Sequence, residues 1–452
     1  MSEQTKEQKT GNALYKRMTT MPIERLLVSL SIPTIISMMV TTLYNIVDTA
    51  FVGTLGTSQS AATGVVSGFM AILQAIAFMC GQGAGSIMSR KLGQKENDEA
   101  TRYASTGFFM SLSLGLIISI VSFIFMKPLL SLLGCTVTIE PYARIYISYI
   151  LISAPYFTAS LTLNNLLRYE GKAKYGTVAL LVGGILNIGG DAFLITGLKL
   201  GIAGAGISTA ISQLISFGLL LRPFLRKITE TRIAISCVAR SIKVFFEIAA
   251  TGFPSLLRQG LNSVATMVLN REAAMYGDQA VAAMSIVGRL SFFPMAVAIG
   301  IGQGFQPISG YNYGAGKTDR VREAFFKALL GAEMALVAAS IPMFIFAPWF
   351  VGLLRDDPEV IVIGARALRL ICIAQMAVPL TMMVEMGFQS TGQKLLATIS
   401  SSLRSGLLFI PTIVILSRIR GLSGIQEAQP LAFVLTFVVC LYLLQIYLKK
   451  LK

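Results

Sequence analysis

The stretch GQGAGSIMSRKLG at residues 81–93 returns as GQGFQPISGYNYG at residues 302–314, and the shift of 221 between them continues on both sides. Carried upstream, that shift lays Pro33 on Pro254, Gly56 on Gly277 and Ala61–Ala62 on Ala282–Ala283. Downstream it lays Asp98 on Asp319. Matches among Ala, Val and Leu carry little weight in so apolar a chain. The prolines, the glycine–glutamine block and the loop Gly and Asp are harder to obtain by chance. The chain therefore reads as two homologous halves.

Composition sets the class of the repeated unit. The 452 residues are 54% hydrophobic and 13% charged, with a mean hydropathy of +0.69, outside the range of soluble domains. Six long apolar runs precede a basic stretch: Leu26–Val52, Ala61–Met88, Phe108–Met126, Ile145–Leu167, Val178–Leu198 and Ile202–Leu221. Six follow it: Val244–Leu269, Val281–Ile308, Ala324–Phe350, Val360–Phe388, Leu395–Leu416 and Ala428–Leu448. Each reaches or approaches the roughly 20 residues that a helix needs to cross a bilayer. The expected fold is an all-α polytopic membrane protein of about twelve transmembrane helices in two homologous six-helix lobes. The boundaries read as an N-terminal tail at 1–22, a first lobe at 23–226, a basic linker at 227–243 and a second lobe with a short tail at 244–452. Two homologous membrane halves are the usual architecture of a secondary transporter.

The formal charge of +16 does not form a nucleic-acid surface. Bases gather at Lys16/Arg17/Arg25, Arg90/Lys91/Lys95/Arg102, Arg168/Lys172/Lys174, between Arg222 and Lys243, at Lys317/Arg320/Arg322 and at Lys449/Lys450/Lys452. These are alternate loops and both termini. Residues 53–60 carry no base, and 197–201 carry only Lys199. The pattern predicts a multi-pass membrane protein with both termini cytoplasmic. Arg418 and Arg420, in a predicted outer loop, depart from it. The polar N-terminal tail runs into an apolar segment too long for a signal-peptide core, so no cleaved signal is expected.

Chemistry is narrowly limited. There is no histidine, so proton transfer falls on carboxylates. Cys80, Cys135, Cys237, Cys372 and Cys440 have no metal-ligand spacing and read as reduced thiols, with no metal site expected. No Walker lysine, catalytic triad or nucleotide loop is visible. The chain reads as a transporter without a cofactor, driven by an ion gradient, and not as an enzyme.

Ionisable residues inside apolar spans are costly, and each is a functional candidate. Thr41, Asn45 and Asp48 recur at i, i+4, i+7 on the first helix. Asn187 and Asp191 share a face of the fifth, and Thr209, Gln213 and Ser216 a face of the sixth. Two carboxyls in a poorly hydrated pocket repel each other and lose solvation. Together they would hold a proton, or a monovalent cation among carboxylate, amide and hydroxyl oxygens. The second half does not repeat this, since the equivalents of Asp48 and Asp191 are Leu269 and Thr412. It carries Arg258, Asn262, Thr266 and Asn270 along its first helix, with Glu272 near the outer end, Arg289 in the next, and Glu385 in its fourth. An Arg–Glu pair across the bundle is the structural reading. Attraction of a cationic substrate by Glu385 is the functional one. A substrate cavity is drawn from Asn45, Arg258, Asn262, Met267, Arg289, Met382 and Glu385, with thioethers giving tolerance of shape. Gly183–Gly184 and Gly189–Gly190, like the glycine–glutamine block, read as places where helices approach closely.

These residues resemble the multidrug and toxic compound extrusion (MATE) family. Ser31-Ile32-Pro33, Tyr44-Asn45-Ile46-Val47-Asp48-Thr49-Ala50-Phe51-Val52-Gly53, Leu167-Arg168-Tyr169-Glu170-Gly171 and Leu186-Asn187-Ile188-Gly189-Gly190-Asp191 carry the likeness in the first half. Gln306-Pro307-Ile308-Ser309-Gly310-Tyr311-Asn312-Tyr313-Gly314-Ala315 and Gln429-Pro430 resemble its MepA-like bacterial branch. The resemblance implies two lobes around a central cleft and export of amphipathic, often cationic compounds against H⁺ or Na⁺. It implies Asp48, Asn187, Asp191 and Thr209 as the cation site and Pro33 as a hinge. Membrane lipid surrounds the protein, and a monomer is expected. A flippase for lipid-linked precursors, of the same superfamily, is the alternative, kept open by Arg258 and Arg289.

Overall fold

A computed structural model describes residues 13 to 451, apart from the side chain of Asn45. Twelve long helices account for the apolar runs: α1 Ile23–Gly53, α2 Thr57–Gly93, α3 Asn97–Ile124, α4 Glu140–Tyr169, α5 Ala173–Gly197, α6 Gly201–Leu225, α7 Ile242–Ala274, α8 Asp278–Gly314, α9 Thr318–Ile345, α10 Pro358–Ser390, α11 Lys394–Arg420 and α12 Leu422–Lys450. Eleven are long and apolar enough to cross a membrane. The exception, α7, has 33 residues but carries Lys243, Glu247, Arg258, Arg271 and Glu272. The described residues contain no strand, and the polytopic all-α fold is as expected.

The duplication is visible helix by helix. α2 and α8 have 37 residues each, α3 and α9 have 28 each, and both pairs start 221 apart. The turns before α2 and α8 are made by Gly56 and Gly277 at φ 116° and 100°, where a side chain would be strained.

The compact units, however, do not divide the chain at the linker. Unit 1 takes the chain up to Met18 and then Ile36–Leu256; unit 2 takes Thr19–Ile35 and Leu257–Lys452. The first part of α1 thus belongs to unit 2, and the first part of α7 to unit 1. The two changeovers are themselves 221 apart, each two residues after an equivalent proline, Pro33 or Pro254. The repeated glycines explain it. In unit 1 a Cβ on Gly83 would collide with the backbone of Ile248 and Gly252 in α7, and one on Gly252 with Met79. In unit 2 a Cβ on Gly304 would collide with Ser31, and one on Gly300 with Ile35, both of α1. Gln82 accepts a hydrogen bond from Ser255 Oγ at 2.6 Å beside the first of these contacts. The glycine–glutamine blocks are seats for half-helices, held by close backbone packing.

The linker is pinned within unit 1. Glu170, fully buried just past α4, accepts the backbone N–H groups of Glu230 and Thr231. Lys172 Nζ donates to Ile228 O at 2.5 Å and lies 3.7 Å from Glu170. Ser105 donates to Arg232 O, and Ala239 N–H donates to Thr106. Burial pushes the Glu170 carboxyl up to about 7, outweighing Lys172 and the backbone donors, which pull it down.

Candidate functional site

The candidate site in unit 1 lies where three helices meet at small facing positions. In α5, a Cβ on Gly183 would strike Ser216 of α6, and one on Gly190 would strike Ser208. A Cβ on Gly184 would stand 3.3 Å from Tyr44 of α1. Ser37 of α1 donates to Thr177 of α5 at 2.9 Å. The glycine pairs singled out in the sequence therefore draw α1 and α6 onto α5, except that Gly189 faces open space.

At this junction Asp48 and Asp191 turn their carboxyls toward each other. Their approach stops short of a formed hydrogen bond: Oδ1 of Asp48 and both oxygens of Asp191 are buried without a donor. Asp191 is fully buried and Asn187 nearly so. Asn187 Nδ2 donates to Ser208 at 3.3 Å and to Thr209 at 3.4 Å, and Ser208 Oγ donates to Asn187 O at 2.9 Å. Tyr146 of α4 and Tyr44 face the acid pair, with the Tyr146 hydroxyl against Thr209. Gln213, one turn beyond Thr209 in α6, also has a buried side-chain oxygen without a donor. Asp191 closes the α-helical part of α5, and the next six residues, Ala192–Gly197, form a π-helix. Such widened turns often accompany functional positions.

Asp48, Asn187, Asp191 and Thr209 are therefore brought together as one oxygen-rich cluster. Buried oxygens without donors are costly, and a proton or a hard monovalent cation answers that need with the donor set present. Thr41 does not take part, since its hydroxyl bonds back to Ser37 O of its own helix. Ser216 bonds the Ala179 carbonyl of α5. Asn45 lies outside the described side chains. Pro33 is buried inside a continuous helix.

Of the residues drawn into a substrate cavity, unit 2 holds Arg258, Asn262, Met267, Arg289, Met382 and Glu385, in differing surroundings. Arg258 Nη1 donates to Glu385 Oε1 at 2.5 Å, and Glu385 is 5% exposed. That is the Arg–Glu pair of the structural reading. Met382, one turn before Glu385, is buried packing at 2% exposure. Asn262, Met267 and Arg289 are exposed. Arg404, in a π-helical turn of α11, Leu403–Leu407, faces Arg258 and Glu385 with Nη1 buried and unbonded. Sequence reasoning missed Arg404, and also Tyr146 and Ser208 beside the acids. Tyr44, one turn before Asp48, does carry a local signal, in the motif that runs from it to Gly53.

A family model described as MatE matches residues 33–193 and 254–415, two segments whose starts are 221 apart. The multidrug export protein MepA of Staphylococcus saprophyticus is 26% identical over 396 residues, which are 87% of each chain. Among solved structures, one described as the outward-facing conformation of a multidrug resistance MATE family transporter of the MOP superfamily is 24% identical. It covers 96% of this chain and 98% of that one, with a TM-score of 0.91. A MATE crystal structure in the bent conformation is 25% identical, covers 98% of both chains and has a TM-score of 0.90.

Proposed function

The chain belongs to the MatE family, and on that footing we propose that it is a cation-coupled antiporter that exports amphipathic, often cationic compounds against a gradient of H⁺ or Na⁺. The observation that carries this reading is the acid pair Asp48–Asp191, with three buried carboxyl oxygens that lack donors. A proton between the carboxyls, or Na⁺ held by carboxylate, Asn187 and Thr209 oxygens, relieves that deficit. Occupancy of the pocket then favours one arrangement of α1 over another, and alternating access follows from that bias. Coupling requires only that the cation and the exported compound prefer opposite states. Pro33, which withholds an N–H inside α1, is the place where that helix can bend. The alternate basic loops support a reading in which both termini face the cytoplasm, and the MepA relatives support a bacterial plasma membrane. A monomer suffices, because each chain carries its own acid pair.

The flippase alternative is weakened by Arg258, whose guanidinium is already engaged by Glu385 and so is not free for a pyrophosphate. The deciding experiment is whole-cell efflux of an ethidium-type dye, with Na⁺ present or absent and with a protonophore. Efflux should collapse under one of the two treatments, and that treatment names the ion. Efflux that survives both overturns cation coupling.

A further inference from the structure

α9 carries a carboxylate that the coupling proposal does not use. Glu333 lies six residues beyond Lys327, about 9 Å of helix rise, and no other charge follows it to Ile345. Lys327 is itself engaged, at 2.5 Å from Glu24 and paired also with Glu323. The face of α9 that holds Glu333 is an outward one: Phe326 is 42% exposed, and Leu330 and Met334 are 59% exposed. At the shift of 221 the equivalent residue is Leu112, the apolar type that a lipid-facing surface ordinarily carries. Among the described residues, no hydrogen bond or ion pair reaches the Glu333 carboxylate.

Glu333 opens onto a groove of about 570 Å³ in unit 2, between α9, α10 and α12. Its other walls include Leu330, Met376, Leu380, Phe437, Leu441 and Leu444. The volume is that of a drug-sized site. One anionic group stands in an otherwise apolar trough that includes a thioether and an aromatic face. A lone charge in hydrocarbon is costly until a partner of opposite sign arrives. Methionine and phenylalanine adapt to varied apolar shapes, and an aromatic face also attracts a cation.

We infer that this groove is a lateral binding site for lipophilic cations, amines or quaternary ammonium ions with an apolar body, taken up from the membrane. The cationic centre pairs with Glu333 and the body lies against Met376 and Phe437. A phospholipid is the weaker fit, because its charges stay at the interface and its tails leave Glu333 without a partner. The inference stands apart from the coupling proposal, since it concerns binding without a gradient and residues other than the acid pair.

The test uses the full chain in phosphatidylcholine nanodiscs and two photoreactive diazirine probes of equal chain length, an alkyl trimethylammonium and an alkyl alcohol. Cross-linked peptides are mapped by mass spectrometry. The ammonium probe should label the segments around Phe326–Leu330 and Leu441–Leu444 about tenfold more than the alcohol, as a charge-assisted contact implies. Glu333→Gln should bring its labelling down to that of the alcohol, while Glu333→Asp retains part of the excess. Size-exclusion profiles check that both variants are folded. Equal labelling by the two probes, or labelling indifferent to Glu333→Gln, overturns the site. So does cross-linking of α9 to a second copy of the chain in place of the probe. Loss of export in an Asp48 variant with this labelling intact separates the two proposals.

Discussion

In unit 1, Asp48 and Asp191 face each other with three carboxyl oxygens that no protein group satisfies. In unit 2, the buried Glu385 has Arg258 at 2.5 Å and Arg404 alongside. The scaffolds are copies, since both α2 and α8 seat a half-helix on an equivalent glycine, Gly83 or Gly304. The chemistry is not copied: Leu269 and Thr412 stand where the acids would repeat. A carboxyl without a counter-charge must take a proton or a cation, and can give it back. One locked to a guanidinium has its partner built in. The duplication kept the packing, and the two halves diverged in whether their buried charge is exchangeable.

The strongest way to break this contrast is to neutralise the acids. Asp191→Asn and Asp48→Asn should each reduce dye efflux to the level of cells lacking the protein, with membrane expression unchanged. The double variant should be no worse than either single one, because the pair acts as a unit. Efflux at the wild-type rate from either single variant would leave unit 1 with no special role.

A second test falls on the paired acid. Glu385→Gln leaves Arg258 and Arg404, both half-buried, without an anion and should cost up to about 3 kcal/mol of stability. Changing Arg258 and Glu385 together to Met should recover much of that loss. The readout is the thermal unfolding midpoint of purified protein, and equal losses in the single and double variants would show that the pair is not a unit. Residual efflux per folded molecule should remain gradient-driven in both, in contrast to the acid-pair variants.

How much of this contrast the sequence displays depends on where its signals lie. Asn187 and Asp191 mark a helix face by their spacing, and so does the Asp48 stripe, so the polar faces that meet in unit 1 are legible in the sequence. Tyr146 and Ser208 reach the acids from other helices, and nothing periodic in α4 marks Tyr146. Arg404 sits among serines and leucines, and a π-helical turn sets its position, which spacing by 3.6 residues does not anticipate. Arginine–glutamate pairing was legible, but not that Arg258 rather than Arg289 would supply it, because that choice is made between distant helices. The unit boundaries were hidden for a further reason. α1 and α7 run unbroken through residues 35/36 and 256/257, and only the glycine seats reveal which unit holds each half. Glu333 has only Ser340, seven residues on, as a polar companion on its face of α9, too little for a stripe to announce it.

Two adjacent glycines sharpen the account of how unit 1 holds its acids together. Gly190→Ala pushes a Cβ into Ser208 and should cost about 1–3 kcal/mol, with a fall in efflux because Ser208 lies against Asp191 and Asn187. Gly189→Ala meets nothing within 4 Å and should be neutral or gain about 0.5–1 kcal/mol of helix stability. Thermal midpoints and dye efflux measured side by side decide it. A neutral Gly190→Ala would mean that close approach of α5 and α6 does not position the pocket.

The smallest expected effect concerns Glu170, a buried acid of unit 1 that, unlike Asp191, has donors. Its ordinary value is 4.5 and burial raises it to about 7, against Lys172 and the N–H groups of Glu230 and Thr231. A carboxyl raised on folding stabilises the folded state fully below about 4.5, and that contribution is lost as pH rises through about 7. Docking of the linker should therefore loosen progressively as pH rises from about 4.5 to about 7. Trypsin cleavage at Arg232 or Arg240 reports it, normalised to a Glu170→Gln variant so that the protease's own pH dependence cancels. The wild type should be cut faster than the variant at pH 6 and faster still at pH 8, where the contribution is gone. A flat ratio would mean that the backbone donors and Lys172 hold the charged form as well as the neutral one. Glu170 would then join Glu385 among the permanently satisfied acids, leaving exchange to Asp48 and Asp191.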